Sequence, residues 1–235
     1  MLRFFRQIRQ RLLAGNRFSK YLLYAIGEIL LVVIGILIAL QIDNWNEDRL
    51  QRKTAILLYQ NTRPQLLEDR RNIEGQISYN GKYISQFEYA IGVIRRMDRD
   101  QKDSLGHIAG KLVDYSDFDR QGNIYQALVN SGDIKLLKNE NIKKRLRGLE
   151  ETYLYINRME TIHYDAILQM IDTITKTVNL TSGEIIDENM LYNPAFQNLF
   201  ALSLRIIHEK EAVYLRALNE IDFIISLVDE ELNHQ

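Results

Sequence analysis

One spacing in the sequence is typical of a metal site: Glu160 and His163 lie three residues apart on the apolar stripe of a predicted helix. Residues three apart share a helix face, and di-iron bundles use this Glu-x-x-His spacing to bind metal. If the helices before and after the polar stretch 179–189 form a hairpin, Glu160 faces position 212, next to Glu211. Two carboxylates and an imidazole would then meet in the core of a bundle.

The rest of a di-metal site is missing, because such sites need two Glu-x-x-His elements and two further glutamates. We therefore predict that Glu160, His163 and Glu211 form a buried polar layer, completed by Arg70 or Asn80, that fixes the register of the helices. Solvent exposure at a bundle edge is one alternative, and a metal site formed by the same three residues is the other. We predict no metal and no cofactor.

No other catalytic set stands out. The chain has four histidines and no cysteine, which excludes thiol catalysis, disulfides and a zinc ribbon. It has neither a G-x-S-x-G nor a P-loop spacing. We expect a protein that is not an enzyme. Nucleic acid is also not an expected partner, because the part of the chain after residue 20 is net acidic.

The residues after position 42 predict long helices. Only two prolines occur in the chain, and Pro64 and Pro194 are each predicted to stand at the first position of a helix. Apolar positions recur at steps of four and three, which is typical of a bundle seam. The seam positions are Ile142, Leu146, Leu149, Tyr153, Ile156, Glu160, His163, Ile167, Met170, Ile174 and Thr177, then Phe200, Leu204, Ile207, Glu211, Tyr214, Leu218, Ile221, Ile225, Val228 and Leu232.

A third, less regular seam runs from Leu66 to Ile94. Polar and glycine-containing stretches at 100–110, 130–133 and 179–189 predict loops, and 121–130 predicts a short helix. The expected fold is all-α: an N-terminal transmembrane helix followed by an elongated antiparallel up-down bundle of three long helices.

The membrane prediction comes from residues 21–40, which contain a single charged side chain, Glu28. Twenty helical residues are long enough to cross the ~30 Å hydrocarbon core of a bilayer. Arg17 and Lys20 precede this run, and Trp45 follows it where an interfacial indole is expected. The run is too long for the apolar part of a cleaved signal peptide, so we predict an uncleaved signal anchor.

Orientation follows from charge, since residues 1–20 contain six basic side chains and no acidic one. By the positive-inside rule the N-terminus is cytoplasmic and the rest lies outside. The predicted segments are a cytoplasmic leader at 1–20, either an amphipathic helix on the lipid surface or a disordered leader, an anchor at 21–42, a helical stalk at 43–63 and a periplasmic bundle at 64–235.

Polar and small residues within the anchor predict lateral contacts. Gly35 and Ala39 are four apart and Gly27 lies two turns earlier, a spacing that permits close packing of membrane helices. Glu28 is costly in lipid and is therefore a functional candidate. It lies near the cytoplasmic headgroups, contacts a partner helix or relays protons, and the first of these is the simplest interpretation.

The anchor also carries a family resemblance. Residues 20–47 read KYLLYAIGEILLVVIGILIALQIDNWNE, and 125–137 read YQALVNSGDIKLL. The first stretch closely resembles, and the second more weakly, an uncharacterised family of Bacteroidota envelope proteins. The resemblance implies a basic leader, one span and a helical periplasmic part, and it implies no catalytic residue.

The predicted function is that of a single-pass inner-membrane protein whose periplasmic bundle acts as a scaffold or accessory subunit. Its partners are the lipid bilayer and other inner-membrane or periplasmic proteins, including a second copy of itself. One alternative is a periplasmic sensory or ligand-binding bundle that works with a separate output protein. The other is a component of an ion-driven membrane complex that uses Glu28.

Overall fold

The computed structural model describes residues 18–120 and 122–233, the side chains of residues 18–21, 23 and 24 excepted. These residues form helices and no strand, which confirms the all-α prediction. The predicted leader helix lies outside the described residues. The α-helices are α1 (Phe18–Arg96), α2 (Lys102–Gly110), α3 (Ile124–Ser131), α4 (Glu140–Thr177), α5 (Glu188–Leu191) and α6 (Pro194–Asn233), with 3-10 turns at Arg99–Gln101, Lys111–Val113 and Asp133–Lys135.

The chain divides into two compact units, Met1–Thr54 and Ala55–Gln235. In the first unit, α1 exposes nearly every described side chain, including an apolar stretch that is long enough to cross a membrane. The mean hydropathy of that stretch is 2.6, and none of it is buried.

Pro64 does not begin a helix, so that prediction is wrong: it lies inside α1, which is helical through 43–63. A proline inside a helix costs about 3 kcal/mol because it removes one backbone hydrogen bond. Tyr59 and Leu66 are buried on either side of it, and their packing offsets this cost. Pro194 does begin α6, as predicted.

The contacts between the long helices of the second unit fix their directions. Asn139 binds Glu231 and Arg145 binds Glu220, so α4 and α6 run antiparallel, as predicted. The pairs Arg63–Asp229 and Arg70–Asp222 show that α1 also runs antiparallel to α6. Consequently α1 and α4 run parallel to each other, and residues 97–139 must return along the bundle to connect them.

That return is made in short pieces. Residues 100–110 are helical, contrary to the predicted loop, because Leu105 and Ala109 pack into the core. Residues 114–120 are non-helical, and α3 follows them. Gly132 then stops α3 with a φ of 80°, which confirms the predicted stop at 130–133. The connector predicted at 179–189 is also confirmed in the main, since α4 ends at Thr177 and α5 begins at Glu188.

Two separate hydrophobic clusters form the core of the second unit. One is built around Leu66, Tyr153 and Ile221, and the other around Phe87 and Ile174. Along α4 the first cluster ends at Ile156 and the second begins at Ile167. The polar residues discussed below lie in the gap between them.

Gly106 provides a test of the packing of α2. A Cβ atom at Gly106 would lie 2.5 Å from the carbonyl oxygen of Gly183, whereas a Cβ at Gly75 would meet nothing within 4 Å. We expect Gly106→Ala to lower the free energy of unfolding by about 2 kcal/mol and Gly75→Ala to raise it by about 0.5–1 kcal/mol. Thermal unfolding of the full chain in detergent, followed by circular dichroism, would measure both. Equal effects would show that α2 does not approach the 179–189 connector.

Candidate functional site: a buried polar layer and an open groove

A layer of buried polar side chains interrupts the apolar core of the bundle. Glu160 and His163 on α4 expose 4% and 5% of their surface, and Lys210 on α6 exposes 1%. Asn80 on α1 exposes 2%, and the pairing of Arg70 with Asp222 sets a register that places it level with Lys210. Each of the three long helices therefore contributes a polar group to one layer.

The layer surrounds residues 115–118 of the return segment, which are not helical and so lack internal backbone partners. Glu160 Oε1 accepts hydrogen bonds from the Phe118 backbone N–H at 2.7 Å and from the Tyr214 hydroxyl at 2.6 Å. Lys210 Nζ donates to the Ser116 carbonyl oxygen at 2.9 Å. Buried backbone groups need such partners, because an unpaired one costs about 1–3 kcal/mol.

Gln76 on α1 is the third side chain that binds the backbone of the return segment. Its amide donates to the Asp117 carbonyl oxygen and its Oε1 accepts from the Ser116 hydroxyl, the latter at 2.6 Å. Side chains of all three long helices thus hold one short stretch of non-helical backbone.

Burial shifts the ionisation of these groups. It raises the pKa of Glu160, although the hydrogen bonds from Tyr214 and Phe118 oppose the rise. It lowers the pKa of Lys210, which the negative charge of Glu160 opposes. The two residues therefore stabilise each other's charged form, and each relieves part of the other's desolvation cost.

His163 is held as a neutral side chain. Burial, followed by the nearby charge of Lys210, lowers the pKa of His163 to about 4. Its ring lies against the Tyr115 ring, with 5.7 Å between the centroids, and its Nδ1 has no hydrogen-bond partner. The ring therefore acts as a packing group on the return segment.

Glu211 lies outside the layer. It is half-buried, and its carboxylate is 3.8 Å from His208 on the surface of α6. Lys210 occupies the place expected for Glu211, because every second position of the buried stripe of α6 lies one residue before the predicted one, while Phe200, Ile207, Tyr214, Ile221 and Val228 are buried as predicted. The buried residues of this stripe follow steps of four and three, a spacing that is visible in the sequence and could have identified Lys210. They are Ser203, Ile207, Lys210, Tyr214, Ala217, Ile221, Ile224 and Val228. Arg70 is likewise on the surface, paired with Asp222.

The geometry around Glu160 differs from that of a metal site. Its Oε1 is engaged by two donors, and a lysine lies in the same layer. Among the described residues no group of three His, Asp or Glu side chains is placed to hold a metal ion.

The predicted anchor residues lie in the first unit. Gly27, Glu28, Gly35 and Ala39 are all exposed there, and the space beside both glycines is open. Trp45 exposes 64% of its surface. Arg17 and the side chain of Lys20 lie outside the described residues.

An open groove of about 620 Å³ runs between α4 and α6 on the surface of the bundle. Its polar residues are Asp165 and Gln169 on α4 and Arg205 and Glu209 on α6. Its apolar residues are Tyr155, Met159, Ile162, Ala166, Leu202 and Ile206. Ile162 and Leu202 expose 43% and 45% of their surface to solvent.

The apolar stretch of α1 and the all-α second unit define a helical-bundle protein with a candidate membrane anchor. Residues 28–205 match the Family of unknown function (DUF6090), and the chain belongs to that family. The match begins at Glu28 in the apolar stretch and ends within α6, so it includes Asn80, Glu160 and His163 of the polar layer, but not Lys210, and most of the groove. No curated protein and no solved structure matches the chain.

The role of Glu160 can be tested by two substitutions. Glu160→Leu leaves the Phe118 N–H and the Tyr214 hydroxyl unpaired, and we expect it to lower the free energy of unfolding by about 2–4 kcal/mol. Glu160→Gln keeps an acceptor oxygen but removes the negative charge that stabilises Lys210, so a smaller loss of about 1–2 kcal/mol is expected. Glu211→Leu is the control and should have almost no effect. A large effect of Glu211→Leu in thermal unfolding would contradict the register described here.

His163 predicts a dependence of stability on pH. Because its folded pKa of about 4 lies below the ordinary value of 6.5, its contribution is complete above pH 6.5 and is lost as the pH falls toward 4. Between about pH 7.5 and about pH 5, wild type should lose about 2 kcal/mol more stability than His163→Phe. Unfolding at the two pH values would measure this. His208→Gln, which removes an exposed histidine, is the control and should lose as much stability as wild type. If His163→Phe loses as much stability as wild type between the two pH values, the pH dependence does not come from His163.

Proposed function

We propose that this protein is a single-pass protein of a bacterial inner membrane that binds another envelope protein through its helical bundle. The N-terminus lies in the cytoplasm and the bundle in the periplasm. In this proposal the protein is a scaffold or accessory subunit, and its Bacteroidota origin is part of the same hypothesis. The groove between α4 and α6 is the observation on which the binding role depends.

The anchor is supported by burial as well as by composition. A core helix of a soluble protein buries its apolar side chains, but Ile29, Leu31 and Leu37 are 64%, 71% and 58% exposed. Lipid is the environment in which such a surface is stable. The basic side chains before the run favour a cytoplasmic N-terminus.

The binding role is supported by the composition of the groove. Exposed apolar patches with a polar rim are typical of protein–protein contact surfaces. The groove combines exposed Ile162 and Leu202 with charged Asp165, Arg205 and Glu209. Catalysis is not part of the proposal, because Glu160 and Lys210 bind backbone and hydroxyl groups inside the bundle.

Two measurements test this function in cells. Alkaline phosphatase, which is active only outside the cytoplasm, should be active when fused after residue 235 and inactive when fused after residue 16. A photoreactive amino acid at Ile162 should crosslink the chain to a protein, whereas one at Leu154, which is 54% exposed on another face of α4, should give about tenfold less product. An inactive C-terminal fusion would refute the topology. Equal crosslinking from the two positions would refute the groove as a binding surface.

A further inference from the structure

We propose that the partner in the groove is a second copy of this chain, with Asp165 of each copy paired to Arg205 of the other. This inference rests on the binding role proposed above and names its partner. It depends on three features of the groove: unpaired charges, their positions on opposite walls and the apolar surface between them.

The charges of the groove have no partners among the described residues of the chain. Asp165, Arg205 and Glu209 are exposed, and none of them forms an ion pair or hydrogen bond with another described residue. By contrast, Arg63, Arg70 and Arg145 each pair with an acid of α6.

The register of α4 and α6 places these charges on a diagonal. Glu160 and Tyr214 are in contact, and Asp165 and Glu209 each lie five residues from that contact, so they are level with each other across the groove. Arg205 lies nine residues from Tyr214 and is therefore about 6 Å further along the groove than Asp165. Asp165 and Arg205 stand on opposite walls, one helical turn apart.

A twofold axis between Asp165 and Arg205 exchanges their positions. Groove-to-groove packing about such an axis brings Asp165 of each copy onto Arg205 of the other, so both ion pairs form at once. The axis can lie diagonally in the plane of the groove, which keeps the N-terminal ends of the two bundles on the same side. Two copies anchored in one membrane require that arrangement.

An axis parallel to the groove is disfavoured by charge. It would bring Asp165 of one copy against Glu209 of the other, and two like charges in contact are repulsive. In the diagonal arrangement, Ala166 and Ile206 lie between the two ion pairs, Ile162 and Leu202 lie just beyond them, and these four side chains supply the apolar contact. The diagonal axis thus forms two ion pairs and one like-charge contact, between the two Glu209 side chains near the axis, whereas the parallel axis forms two like-charge contacts and no ion pair.

The absence of cysteine from the chain makes a direct test possible. Gln169→Cys places a thiol at the edge of the groove near the diagonal axis, and Leu168→Cys places one at a residue that is 51% exposed and does not line the groove. In membranes containing the full chain, a short bis-maleimide should crosslink Gln169→Cys into a dimer. The yield from Leu168→Cys should be about tenfold lower, because random collision is its only source.

Charge reversal in the Gln169→Cys chain identifies the pair. Arg205→Asp and Asp165→Arg should each lower the yield of dimer about tenfold, and the double variant should restore it. Leu202→Glu, which places a charge in the apolar contact, should also lower the yield. Circular dichroism of each variant would verify that the bundle is folded.

The following results would overturn the inference. Equal yields from the two cysteine positions, no dimer, or no effect of the single charge reversals would exclude this pairing. If the photoreactive group at Ile162 attaches a different protein and no dimer forms, the second copy is excluded while the binding role remains. If neither product forms, both proposals fail.

Discussion

The structure depends on one constraint: non-helical backbone packs against all three long helices of the bundle, and side chains of those helices pair its polar groups. The return segment is required because α1 and α4 run parallel, so the chain must return between them along the length of the bundle. A long helix in place of this return segment would have paired its own backbone N–H and C=O groups. Residues 115–118 are non-helical instead, and Gln76, Glu160 and Lys210 supply partners from three different helices.

This constraint explains why ionisable groups persist inside the bundle. An isolated buried lysine or glutamate is costly, yet Glu160 and Lys210 each bind a backbone group and also lower each other's desolvation cost. Replacing either one by an apolar residue would leave a buried backbone group unpaired. The layer lies between the clusters around Tyr153 and around Phe87.

The sequence predicted the parts of the fold that depend on local periodicity. The seams of α4 and α6, the start of α6 at Pro194 and the stop at Gly132 follow from side-chain spacing and backbone preference. Pro64 and the helical stretch 100–110 were mispredicted because tertiary packing overrides a local helix-breaking signal. The layer was predicted only in part: Glu160 and His163 interrupt an apolar stripe visibly, whereas Lys210 resembles a surface residue until its partner, the Ser116 carbonyl, is known.

The same return segment explains why the groove is open. It packs on one flank of α4, where Glu150 pairs with Arg120 at 2.8 Å and Tyr164 contacts the Tyr115 ring. The opposite flank, with Ile162 and Ala166, faces α6 and no other described element of the bundle covers it. The return segment therefore covers one flank of α4 and leaves on the other an apolar surface that no described residue outside α4 and α6 covers.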